Sequence, residues 1–97
     1  MARYSIQQEQ RRLAILQLLQ KEPGYRLNDA IICDLLTQLG QASPLSLVRT
    51  ELAWLEQNGQ LTTQELPGCT VAILLEAGAD TALGTSAMPG IARPRPE

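Results

Sequence analysis

Apolar and polar positions fall into a succession of helical stripes followed by a β-type alternation, and the changes of spacing divide the chain into elements. Ser5 stands as the N-cap of a first helix running to about Glu22. Leu13, Ile15, Leu16, Leu18 and Leu19 cover most of its circumference, and Gln10, Gln17 and Lys21 leave only a narrow polar stripe. A helix so apolar touches several neighbours, so it is central to the domain or shared with a second subunit. Pro23-Gly24 ends it, and Tyr25–Leu27 is a short connector. Asn28 caps a second helix reaching about Leu39, with Asp29 at the positive end of its dipole. Leu27 and Ile32 occupy the staple positions, Ile32, Leu35, Leu36 and Leu39 form the buried stripe, and Gly40 is the stop.

Only Gln41 and Ala42 separate that stop from SPLSLVRTELAWLEQNGQL. Here Ser43 is the expected N-cap, Pro44 the first helical residue and Asn58-Gly59 the end of a third helix. Leu45, Val48, Leu52 and Leu55 face inward, while Ser46, Thr50, Ala53 and Gln57 face outward. So short a turn makes the second and third helices cross steeply, as in a helix-turn-helix. The runs 61–66 and 69–75 around Pro67-Gly68 read as a β-hairpin. Glu76–Leu83 follows as a short fourth helix. From Thr85 the Pro-rich TSAMPGIARPRPE is extended, either disordered or laid over a neighbour. The fold class is α+β, mainly α, with a domain over 1–84 and a tail over 85–97. The expected core is Leu16, Leu19, Leu35, Leu36, Val48, Leu52, Leu55, Val71 and Ile73.

Composition narrows the chemistry. Phe is absent, so the core is aliphatic. No apolar run approaches the roughly 20 residues that span a bilayer, and MARYSIQQEQRR lacks the apolar stretch of a signal peptide. The expected location is the cytoplasm. Cys33 and Cys69 are the only cysteines and there is no His, too few ligands for a four-coordinate zinc site. Both thiols read as packed and inert, and no metal or cofactor is expected. Without His, a Gly-rich phosphate loop or paired carboxylates, the chain does not read as an enzyme.

The order of helix, helix, short turn, helix, hairpin, helix resembles the winged helix-turn-helix superfamily. The VRTELAWLEQNG stretch resembles its third helix, and the hairpin would be the wing. Many such regulators carry Leu-Thr-x-x-Gly where this chain has Leu74-Leu75-Glu76-Ala77-Gly78. Leu in place of the capping Thr implies a short or frayed fourth helix. More narrowly, PGYRLND, VRTELAWLEQNG, LPGCTVAILLEAG and the MPGIARPRP tail resemble small uncharacterised proteins of Mu-like phages and prophages. That resemblance implies a viral or prophage origin and no particular activity.

The winged-helix resemblance implies double-stranded DNA as a partner. The third helix would enter the major groove, with Ser43, Ser46, Arg49 and Thr50 as contacts. Arg26, Arg11 and Arg12 would touch phosphates. Against this stands a net charge of −2, two acids, Glu51 and Glu56, in the same helix, and a wing tip carrying Glu65 and no cation. In the competing reading Arg49 pairs with a carboxylate and the domain docks another phage or host protein. Trp54 lies beside the core stripe, packed under the hairpin or the tail. The apolar first helix and the Pro-rich tail also suggest a homodimer.

Overall fold

A computed structural model describes residues 4–95. Met1–Arg3 and the last two residues of the tail lie outside the described residues. The chain is α+β and mainly helical: α1 (Ile6–Lys21), β1 (Arg26–Asn28), α2 (Asp29–Gln38), α3 (Leu45–Gln57), β2 (Leu61–Leu66), β3 (Cys69–Leu74) and α4 (Glu76–Leu83). The strands form one antiparallel sheet in the order β1-β3-β2, so the connector before α2 pairs with the far strand of the hairpin. No helix among the described residues is long and apolar enough to cross a membrane.

Local sequence explains most boundaries. The Ser5 hydroxyl accepts the Gln8 N–H, and the Gln8 side chain accepts the Ser5 N–H, a closed capping box that starts α1. Asn28 caps α2 through the Ile31 N–H. Gly40 takes the left-handed φ of 77° that ends it.

The start of α3 differs from expectation. Pro44, not Ser43, is the N-cap, and no side chain caps this helix. The Ser43 hydroxyl is turned inward, donating to the Gln41 carbonyl and accepting from Arg11 Nε. The Cys33 thiol also donates to the Ser43 carbonyl, at 2.9 Å. The residue is therefore buried as a fastener of the turn, and its oxygen cannot reach the first turn of α3.

α1 runs through the middle, packing on α4, α2 and β3. Leu13, Ala14, Ile15, Leu16 and Leu19 are all buried within this one chain, which accounts for its apolar circumference. Leu27, Ile32, Leu36, Val48, Leu52, Leu55, Leu61, Ala72, Ala82 and Ile91 join them in the core. Three expected core residues are only half-buried: Leu35, Val71 and Ile73. The sheet explains the last two. Leu27 pairs with Ala72 and Leu61 with Leu74, so the even positions of β3 turn inward, and Thr70 and Ala72 are the buried ones. β-Branched Val71 and Ile73 lie on the outer face despite their hydropathy.

α4 is short and has no side-chain cap at Leu75. It is pinned instead by Gln60. The Leu75 N–H donates to the Gln60 carbonyl, and Thr81 Oγ1 lies 2.7 Å from Gln60 Oε1. The tail folds back along α1: the Ala92 N–H donates to the Glu9 carbonyl and Ile91 is buried.

Candidate binding face

α3 presents three sides. Val48, Leu52 and Leu55 enter the core. Ser46, Thr50, Ala53 and Gln57 are exposed, as their spacing requires, and the Thr50 hydroxyl donates back to the Ser46 carbonyl. The third side, with Glu51 and Trp54, faces α1 and the tail. Glu51 is buried, so it is not an acid of the exposed face.

Arg11 and Arg12 close on Glu51. Arg11 Nη1 donates to Oε2 and Arg12 Nε to Oε1, both at 2.9 Å. Arg12 is 3% exposed. Its Nη1 donates to the Gly90 carbonyl at 3.0 Å, and its guanidinium lies 3.8 Å from the centre of the Trp54 ring and 4.3 Å from that of Tyr4. Trp54 meets Tyr4 edge-on and donates its indole N–H to the Tyr4 hydroxyl. These contacts place Trp54 under the tail. Arg11 and Arg12, expected at phosphates, and Ser43, expected as a groove contact, are thus engaged inside the domain instead.

Arg49 is half-exposed, and its Nε donates to Asp29 Oδ2 at 2.7 Å. Burial raises the Asp29 carboxyl pKa. The Arg49 hydrogen bond, a backbone bond from Thr70, the Arg49 charge and the Ala30 N–H together outweigh it, so the net value lies below the ordinary carboxylate value. Arg26 is exposed on the edge strand β1, opposite Ile73. Thus Ser46, Arg49, Thr50 and Arg26 of the expected contacts remain at the surface.

Between α3 and the hairpin lies an open groove of 610 Å³, lined by Arg49, Ala53, Glu56, Thr63 and Glu65 among others. Glu56 reaches across to β2. The Thr63 backbone N–H and both threonine hydroxyls, of Thr63 and Thr62, donate to it. The backbone bond, then the Thr63 hydroxyl, hold its pKa below the ordinary value against a small burial penalty, with Thr62 adding to them. Glu65 accepts from the Thr70 hydroxyl across the hairpin. Neither glutamate forms an ion pair among the described residues. Arg49 is neutralised by Asp29, so the groove carries net negative charge. In sequence Asp29 reads only as a dipole residue, and nothing there marks the groove. The signal for the Asp29–Arg49 pair is an acid at the start of α2, one short connection away from the one cation of α3.

No three His, Cys, Asp or Glu side chains converge as metal ligands among the described residues. Both cysteines are free and half-buried.

Over 88 residues, covering 91% of each chain, the sequence is 34% identical to a protein called Uncharacterized protein gp26 from Escherichia phage Mu. An uncharacterized protein of Haemophilus influenzae is 46% identical over 58 residues, which span 60% of this chain and 56% of that protein. No family model and no solved structure matches the chain.

Proposed function

The chain belongs to the family of the phage Mu protein gp26, and from that premise we propose a small phage winged helix-turn-helix module that docks a protein partner rather than reading DNA. The observation that carries this reading is where the cations go. Arg11 and Arg12 are used on Glu51 and Arg49 on Asp29, while Glu56 and Glu65 line the α3–hairpin groove without forming an ion pair among the described residues. A duplex is held chiefly by neutralising its phosphates, and this face would repel them. A protein segment with a cationic side chain fits it: α3 supplies a small, flat floor at Ala53, and the two glutamates supply the charge. The strand order β1-β3-β2 behind a short helix-turn-helix supports the winged-helix assignment.

DNA remains the second reading, favoured by the exposed Ser46 and Thr50 beside a half-exposed Arg49. Duplex binding followed by fluorescence anisotropy at low salt separates the two. The docking reading expects no binding tighter than the roughly 100 μM of weak non-specific association. It also expects a pairwise two-hybrid screen against the proteins of the same phage to return a partner that is lost when Ala53→Arg fills the groove. Sequence-selective duplex binding abolished by Arg49→Ala would reverse the choice.

A further inference from the structure

Two hollows meet at Leu83, and no residue lining them lines the α3 groove. The first, of 280 Å³, has Tyr25, Leu75 and Glu76 in its wall, and the second, of 520 Å³, lies between Leu83 and Arg93–Arg95. Three large apolar side chains stand in solvent around them: Leu83 is 61% exposed, Tyr25 53% and Leu75 40%. Tyr25 is also the one non-glycine residue with a left-handed backbone among the described residues, at φ 58°. That conformation disfavours a large side chain. Two backbone bonds impose it: the Tyr25 N–H donates to the Glu22 carbonyl, and its own carbonyl accepts the Leu74 N–H. The result is an aromatic ring held outward on a fixed backbone beside two exposed leucines, the make-up of an interface anchor.

The charges around the patch identify what covers it. Glu76 stands on one flank, Glu22 lies three residues before Tyr25 in the turn whose backbone holds it, and Arg93 and Arg95 stand on the other flank beyond Leu83. None of the four forms an ion pair among the described residues. A purely basic partner would use only the acidic flank, and an acidic one only the basic flank. A second copy of this chain uses both, because a two-fold axis near Leu83 sets the acids of one copy against the arginines of the other.

We infer that the Tyr25–Leu75–Leu83 patch is the interface of a homodimer in which Arg93 and Arg95 of each copy face Glu22 and Glu76 of the other. This surface is distinct from α1 and the body of the tail, which are spent on the chain's own core. The inference does not depend on what the α3 groove binds.

Analytical ultracentrifugation of the full chain tests it. The parent is expected to show concentration-dependent dimerisation at roughly micromolar to millimolar concentrations, as suits a small interface. Leu83→Lys places a cation at the C-terminal end of α4, where the helix dipole favours it, so the fold is retained by circular dichroism. It should weaken association at least about tenfold, the loss of one anchoring contact. The Arg93→Glu/Arg95→Glu protein and the Glu22→Arg/Glu76→Arg protein should each be largely monomeric alone and associate when mixed. A parent that stays monomeric throughout, a dimer indifferent to Leu83→Lys, or charge-reversed proteins that fail to associate on mixing would each overturn the inference.

Discussion

At the junction of α1, α3 and the tail, Glu51 holds Arg11 and Arg12 with all three side chains largely shut off from water. At the junction of α2, α3 and β3, Asp29 is as deeply buried, but its partner Arg49 is 48% exposed. The first cluster ties together segments remote in sequence, since Arg12 bonds both Glu51 and the Gly90 carbonyl. Its guanidinium is further enclosed by two aromatic rings. The second cluster commits one N–H of Arg49, leaving the rest of the fork toward the groove. Two ionic clusters on one helix thus divide the work. One fastens the fold, and the other sets the charge of a surface. The difference also shows why a net charge says little about a binding face: among the described residues, Arg11, Arg12 and Arg49 are bound to carboxylates before any partner arrives.

The sharpest way to break the comparison is to neutralise Glu51. Glu51→Gln keeps the shape but leaves two guanidiniums, one of them fully enclosed, facing no anion. Removing one partner of a buried ion pair costs about 3–5 kcal/mol. A domain of this size has little more than roughly 5–15 kcal/mol in all, so urea unfolding should show a protein near the edge of stability. Asp29→Asn, tested alongside, should lose clearly less, because its partner can return to water. If the two variants unfold at the same urea concentration, the division between fastener and surface pair is wrong.

A smaller effect is expected where the tail crosses the cluster. Gly90 has φ 91°, and a Cβ there would come within 2.8 Å of the Trp54 ring and 3.0 Å of Tyr4. Gly90→Ala combines backbone strain with overpacking and should cost about 1–3 kcal/mol. The single Trp gives a direct readout. Its emission should shift to the red as the tail lifts and water reaches the indole. An unchanged spectrum together with unchanged stability would mean that the tail does not seal this corner.

Much of the fold was legible because its punctuation is local. Ser5, Asn28 and Gly40 act on their own turns, and Pro67-Gly68 makes its hairpin from neighbouring residues. The binding face was less legible because side-chain partners come from other elements. Ser43 reads as a cap until Arg11, 32 residues away, takes its hydroxyl. Glu51 reads as a surface acid, although it lies three residues after Val48 and four before Leu55, on the flank of the core stripe. That spacing, with two consecutive arginines on a central helix, was the available signal for a buried cluster. Val71 and Ile73 show the same limit in the sheet. Hydropathy marks them as core, but which parity of β3 points inward is fixed by its pairing with β1.

The smallest expected effect lies at the exposed pair, and pH isolates it. The folded-state pKa of Asp29 is below its ordinary value, so its contribution to stability is fully present above the unfolded value of about 3.9. The contribution is lost as the pH falls through the folded value. In Arg49→Ala the burial penalty stays and the arginine's hydrogen bond and charge go. Asp29 should then titrate higher, so the variant has less carboxylate-linked stability to lose on acidification than the parent. Urea midpoints at pH 7 should therefore place Arg49→Ala modestly below the parent. The gap should narrow as the pH falls from the variant's folded value through the lower one of the parent, below which the carboxyl is protonated in both proteins. A carboxyl-detected NMR titration of Asp29 checks the cause, since its midpoint must rise in the variant. A stability gap that stays constant from neutral to acid pH would mean that Arg49 supports the fold through the packing of its stem rather than its charge, and the exposed pair would no longer be the electrostatic counterpart of the buried one.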